Sequence, residues 1–314
     1  MAKSGEHVGP PVSMVDRSVG QALGDYVLQT LGVAAAEVQK LYHDPLELLP
    51  RAVQPVLWLM LFGEVMARVR GVAPGNIPYL DFLAAGILAQ SALFVAIFYG
   101  ISAIWEHDLG VLQRYLVSPA PRSALVLGKA LSAGVRALSQ ALIVYVLALV
   151  LGVGINLNPL NILGVAAAII LGSALFSTLS LMIACIVKTR ERFMGIGQVL
   201  TMPIFFASNA IYPLSLMPAW LRAVSHANPL TYEVDALRAL MLTNGVSEYG
   251  LLLDFGVLLS VTVALTADRR KNVWTHGLLT GIPAPRVVFE RPSRTATGTF
   301  ETSSHVRSAV AIGG

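Results

Sequence analysis

"NILGVAAAIILGSALFSTLSLMIACIVK", residues 161–188, runs from Asn161 to Lys188 with no charged residue between them. A bilayer core of ~30 Å is crossed by about 20 helical residues, and this run is longer than that. In lipid every backbone N–H and C=O must be bonded within the protein, which an open sheet cannot do at its edges. The expected fold class is therefore all-α, with the bilayer as solvent. Composition agrees: of 314 residues 55% are hydrophobic and 13% charged, with mean hydropathy +0.68. A soluble domain carries roughly 25% charged residues.

Working outward from that run, five more segments have the length and apolar character of spans: about 49–67, 81–105, 130–153, 193–213 and 248–267. Pro50, Arg51 and Gln54 crowd the start of the first. The expectation is a polytopic protein with six transmembrane helices. Basic residues orient it. With the N-terminus inside, seventeen Lys and Arg fall on the cytoplasmic side, from Lys3 to Arg307, against Arg68, Arg70, Arg222 and Arg238 outside. This is the positive-inside bias, and it puts both termini in the cytoplasm. The pI near 9.3 does not indicate nucleic acid, because the charge sits at segment ends and tails rather than in one stripe. The single cysteine, Cys185, excludes an intrachain disulfide and a cysteine-based zinc site. No removable signal peptide is expected, since the first apolar run begins about fifty residues in.

The ends differ from the middle. Residues 1–28 read as a disordered N-terminal segment, with Gly, Pro and Ser concentrated in 1–24. Over 29–43, Leu31, Ala35, Val38 and Leu41 recur at helical spacing, which suits a helix lying in the cytoplasmic interface. Residues 268–314 read as a flexible cytoplasmic tail, with Ser and Thr dense over 293–308. The membrane domain occupies 29–267.

One passage between the second and third spans is unexpectedly polar: "IWEHDLGVLQRYLVSPAPRSALVLGK", residues 104–129. Asp108 can cap a short helix that carries Leu109, Leu112 and Leu116 on one side, and Ser118-Pro119 ends it. Pro121 can then open the next helix, through Gly128 and Lys129 into the third span. A rod of ~13–15 Å at 1.5 Å per residue, held between two spans, can pass a push from a cytoplasmic partner into both.

Here the residues resemble a family. Glu106, Gly110, Leu112, Arg114, Leu116, Pro119, Gly128 and Lys129, with Arg122 between them, look like the docking loop of ABC-2 type transporter permeases, the membrane subunits of ABC exporters that include daunorubicin-resistance and polysaccharide-export systems. His107, Asp108 and Val111 depart from the usual pattern beside it. A second stretch, 211–242, resembles the family's segment between spans five and six through Pro213, Met217, Pro218, Trp220, Asn228, Pro229, Asp235 and Arg238. Residues 43–55 resemble the approach to its first span, so the likeness covers about 40–267. Read physically, Pro218 opens one short helix, while Asn228 caps a second with Pro229 at N1 and a stop at Asn244-Gly245. Leu230, Val234, Leu237 and Met241 form its apolar stripe. The resemblance implies that these helices dip back into the outer leaflet.

No G-x-x-x-x-G-K-[ST] occurs, so the chain has no ATP site of its own. "SALVLGKA" comes nearest but lacks the first glycine and the hydroxyl after Lys129. The resemblance then implies a separate ATPase subunit that uses ATP and Mg and docks on 106–122. It also implies a second permease, identical or related, and residence in the cytoplasmic membrane. The function expected is outward movement of a drug-like, lipid or glycan cargo, with no cofactor or metal bound by this chain.

Other residues have plainer readings. Arg136 is expected to snorkel to the interface. Ser173, Ser177 and Ser180 are expected to let helices pack closely. Glu64 and Asp254 are expected at the interface, and Asp235 and Arg238, spaced i,i+3, to pair. An enzyme using Glu106, His107 and Asp108 as an acid–base group is disfavoured, because three adjacent residues point different ways on a helix. H-E-x-x-H and G-x-S-x-G are both absent. An ion-coupled secondary transporter would want an acid at the bilayer midplane, and no span carries one near its centre.

Overall fold

The computed structural model describes residues 48–69, 77–108, 122–187 and 189–267. The expected N-terminal segment, the interfacial helix over 29–43 and the tail 268–314 lie outside them. Among the described residues the fold is all-helical, with one isolated antiparallel bridge between Ile155 and Leu242.

Helix α1 (Leu48–Leu57) continues through a widened π-helical turn, Trp58–Gly63, into α2 (Glu64–Ala67). Then come α3 (Tyr79–Asp108), α4 (Arg122–Val150) and α5 (Pro159–Val187). Helix α6 (Arg190–Phe206) leads to a 3₁₀ turn, Leu214–Leu216. The chain closes with α7 (Ala219–Ala227), α8 (Pro229–Met241) and α9 (Leu251–Ala267).

Among the described residues three stretches are long and apolar enough to cross a membrane: Tyr79–Ser102, Leu131–Val150 and Pro159–Ala184. Val53–Ala67 and Leu251–Thr266 are apolar but shorter. Helix α3 is central, with 83% of its apolar window buried, whereas α4 buries 39% of its own and lies outside. Leu142, Val146 and Leu149 recur every three to four residues on α4 and stay about half exposed, as do Leu259 and Val263 on α9. Large apolar side chains left uncovered at helical spacing suit contact with lipid tails.

Close approaches set the register. Gly86 of α3 lies against the Ala210 backbone, where no side chain would fit. Gly100 donates its N–H to Ser180 Oγ at 3.1 Å, and Ser180 donates in turn to the Ile97 carbonyl. Gly134 of α4 sits on Ile170 of α5. Ser173, Ser177 and Ser180 are all buried, as close packing requires. At the other end of the bundle the Gly154 N–H donates to Asp81 Oδ2 at 3.2 Å. Asp81 and Gly100 of α3 thus meet the loop that leads into α5 and the far part of α5 in turn, so the two helices run parallel.

Helix α6 stops at Phe206, short of the expected 213. Ser208 donates to the Phe205 carbonyl at 2.7 Å and accepts the Ala210 N–H at 3.3 Å. Tyr212 donates to the Phe206 carbonyl. These local bonds satisfy groups that a longer helix would use, and so end it.

Candidate functional site

The expected docking passage is placed by its ends. Glu106, His107 and Asp108 are the last residues of α3, Arg122 is the first of α4, and Gly128 and Lys129 lie on α4. Gly110, Leu112, Arg114, Leu116 and Pro119 lie outside the described residues. Helices α3 and α4 pack along each other, so the passage joins two neighbours at one end of the bundle. The start of α6 is fastened beside it. The Arg190 guanidinium stands 3.6 Å from the Trp105 ring centroid. Phe193 is fully buried with Ile104 and packs where Gly100 leaves room. A cation over an indole face contributes about 0.5–1 kcal/mol at an exposed site.

The segment from 207 to 250 is built more tightly than its sequence suggests. Pro213 precedes the 3₁₀ turn and Pro218 is the N-cap position of α7. Arg222, read as an outer loop charge, clamps that turn: its Nε donates to the Leu214 carbonyl at 3.1 Å and Nη2 to the Met217 carbonyl at 3.2 Å. Trp220 remains exposed on α7. Asn228 then works in both directions. Its Oδ1 accepts the Leu230 N–H at 3.0 Å, capping α8 with Pro229 at its first turn, while Nδ2 donates to the Ile204 carbonyl of α6 at 2.6 Å.

Helix α8 differs from the expected helix with one apolar side. Leu230, Val234, Leu237 and Met241 are buried, but so are Thr231, Glu233, Asp235 and Arg238. It is enclosed on all sides, packing against α5, α9 and α3. At its end the Met241 carbonyl accepts the Asn156 N–H at 2.8 Å and Gly154 accepts from Thr243 at 2.9 Å, which ties it to the loop before α5.

One expectation is refined here: Asp235 and Arg238 act on each other through charge but make no hydrogen bond to each other. Asp235 Oδ2 accepts from Ser247 Oγ at 2.7 Å and from the Tyr249 N–H at 3.2 Å. Arg238 Nη2 donates to the Asn209 carbonyl at 2.9 Å, and its guanidinium lies 3.8 Å from the Phe82 ring centroid. Each reaches a different element, because α8 is enclosed and has partners on both sides. Asp254, in the first turn of α9, is fully buried and accepts from Ser247 Oγ at 3.0 Å. Ser247 thus lies within hydrogen-bond distance of one carboxylate on α8 and one on α9 and ties the two helices together.

In the loop ahead of α9, partial desolvation raises the Glu248 carboxyl above its usual range, and Asp235 adds to this while Arg238 and His226 oppose it. Tyr249 is pushed up to about 12, by desolvation first and then by Tyr232 and the nearby carboxylates. Its hydroxyl meets His226 Nδ1 at 2.8 Å. Arg136 of α4 has its guanidinium 5.9 Å from the Tyr99 ring of α3.

Sequence reasoning missed Glu233. It is fully buried, neither carboxyl oxygen has a hydrogen-bond partner, and the group occupies the space that a side chain at Gly172 would fill. The available signal was its place three residues after Leu230 and four before Leu237, on the apolar side of α8.

A bundle of long apolar helices, with a short helix enclosed on one side and a polar connection at the other end, defines an integral membrane protein with two specialised ends. The ABC-2 type transporter profile matches residues 28–242. The chain belongs to the ABC-2 type transporter family. Relatives include ycf38 of Cyanophora paradoxa, which carries the name of a transport permease, 31% identical over 64% of this chain and 70% of its own length. The daunorubicin resistance ABC transporter permease protein DrrB1 of Streptomyces coeruleorubidus is 24% identical over 72% and 77%. The inner membrane transport permease YadH of Escherichia coli K12 is 24% identical over 69% and 83%. The protein is thus a membrane transport permease of an ABC transporter.

Proposed function

We propose that this chain is the six-span permease subunit of an ATP-driven exporter, occupying 29–267, with both termini in the cytoplasm of the cell that carries it in its cytoplasmic membrane. A separate ATPase, holding ATP and Mg, docks on the passage from Glu106 to Arg122, and a second permease, identical or related, completes the translocation path. Closure of the ATPases presses on the two passages and drives cargo outward. Family membership over 28–242 is the observation that carries this reading. The packing of α3 on α4, and the Arg190–Trp105 contact beside their joint, support it by giving a push at the passage rigid neighbours to move. Cargo of drug-like or lipid character fits the apolar spans and the name of the relative DrrB1.

The test is coupling. Glu106→Gln and Arg114→Ala, in the complex with its ATPase in proteoliposomes, should leave the permease inserted and the ATPase hydrolysing ATP, while export falls at least about tenfold, the factor that 1.4 kcal/mol of lost coupling represents. Normal export by both variants would refute docking at this passage.

A further inference from the structure

The expected spans carry no acid near their centres, but α8 brings one against the midpoint of α5. Gly172 has 13 residues of the membrane-crossing stretch Pro159–Ala184 before it and 12 after it. The atoms nearest to a side chain placed at Gly172 are the carboxyl carbon and both oxygens of Glu233. The carboxyl is therefore pressed on the backbone of α5 at its midpoint, roughly 20 Å from Pro159 at 1.5 Å per residue. Glu233 is 0% exposed and neither oxygen has a hydrogen-bond partner.

Glu106, His107 and Asp108 close the far end of α3, more than five residues beyond Gly100, which already meets Ser180 late in α5. The other charged groups on the elements packed around α8 are engaged elsewhere. Helix α5 has no charged residue over Pro159–Val187. Asp81 of α3 holds the Gly154 N–H, and Asp254 of α9 holds Ser247. On α7, Arg222 is spent on the 3₁₀ turn and His226 meets Tyr249. On α8 itself Asp235 bonds Ser247 and Tyr249, and Arg238 bonds the Asn209 carbonyl.

An ionised carboxylate that is fully buried and has no hydrogen-bond partner among the described residues is strongly disfavoured. A metal ion is a poor substitute. The carboxyl itself fills the notch at Gly172, and among the described residues no group of three His, Cys, Asp or Glu could hold a metal. The group that fits is the smallest cation.

We propose that Glu233 is a proton-binding site at the midplane of the membrane domain, and that α8 stays seated on α5 only while this carboxyl holds its proton. Any movement that lifts α8 off Gly172 toward water releases the proton, and rising pH favours that movement. The proton acts on the position of α8 and needs no gradient to drive transport, so this stands or falls separately from ATPase docking.

The test uses the purified full chain in lipid nanodiscs, without ATPase or cargo. The infrared difference between wild type and Glu233→Gln should contain the carbonyl band of a protonated acid at neutral pH, far above the usual glutamate value of about 4.3. Glu233→Gln, a neutral isostere, should fold and be at least as stable as wild type at neutral pH. Relative to it, the unfolding constant of wild type should rise about tenfold per pH unit above about 4.3, until the folded acid itself ionises. Gly172→Ala, which displaces the carboxyl, should shift the band. A carboxylate band at neutral pH, parallel stability profiles of wild type and Glu233→Gln, or a sodium-dependent band would each overturn the proposal. So would a Glu233→Gln variant much less stable than wild type, since that would mean an ionised, paired group.

Discussion

Asn228 is the residue whose removal is most informative about the segment from 207 to 250. Asn228→Ala loses the cap on the Leu230 N–H and the 2.6 Å bond to the Ile204 carbonyl together. A lost N-cap costs ~1 kcal/mol, and a lost hydrogen bond that leaves its carbonyl buried costs about as much again. The sum of about 2 kcal/mol corresponds to a roughly 30-fold rise in local opening, since 1.4 kcal/mol is a factor of ten. Hydrogen exchange in nanodiscs reads this directly: amides of 230–241 should exchange about 30-fold faster, while those at the centre of α5 stay unchanged. Asn228→Ser keeps a capping oxygen but lacks the donor that reaches α6, so its effect should be near the square root of the alanine effect. Equal exchange in wild type and Asn228→Ala would refute the claim that this side chain secures α8 to α6.

Other perturbations follow from the same geometry. Gly86→Ala places a methyl on the Ala210 backbone and should destabilise by about 1–3 kcal/mol, read as a lower Tm. Gly195→Ala has open space around it and should instead gain roughly 0.5–1 kcal/mol from helix propensity. For Glu248, the folded acid holds its proton more tightly than the unfolded one. Its contribution to stability is therefore complete below about pH 4.3 and is lost as pH rises through the raised folded value. Glu248→Gln should flatten that part of the stability–pH curve, which a Tm series across pH would show. Trp105→Leu should cost about 0.5–1 kcal/mol and loosen the first turn of α6, detectable as faster exchange at 193–196.

Much of this architecture could be read from local chemistry. The uncharged run before Lys188 forms α5, and Asn228-Pro229 opens α8 as capping rules require. What stayed hidden depended on contacts between residues far apart in the chain. Asp254 sits near a helix start, which suggests water, but Ser247 and the enclosure of α8 bury it. Asp235 and Arg238 have the spacing of a pair, yet their hydrogen bonds go to tertiary partners at Tyr249 and Asn209. The early end of α6 depends on Ser208 and Tyr212, whose hydroxyls turn back on carbonyls that no periodic pattern flags. Glu233 gives no local sign of its place, because it belongs to a short helix rather than a span and meets the midpoint of α5 only through tertiary packing.

Helix α6 is gripped at both extremities, by the Trp105 ring under Arg190 near the joint of α3 and α4 and by Asn228 on the Ile204 carbonyl at the opposite end. It is a strut of roughly 25 Å at 1.5 Å per residue, with its give concentrated at Pro203, whose ring removes a backbone donor. A tilt imposed on the end of α3 would, with both grips intact, be carried along α6 to the start of α8. Stiffening or softening Pro203 would then change how much of that tilt arrives.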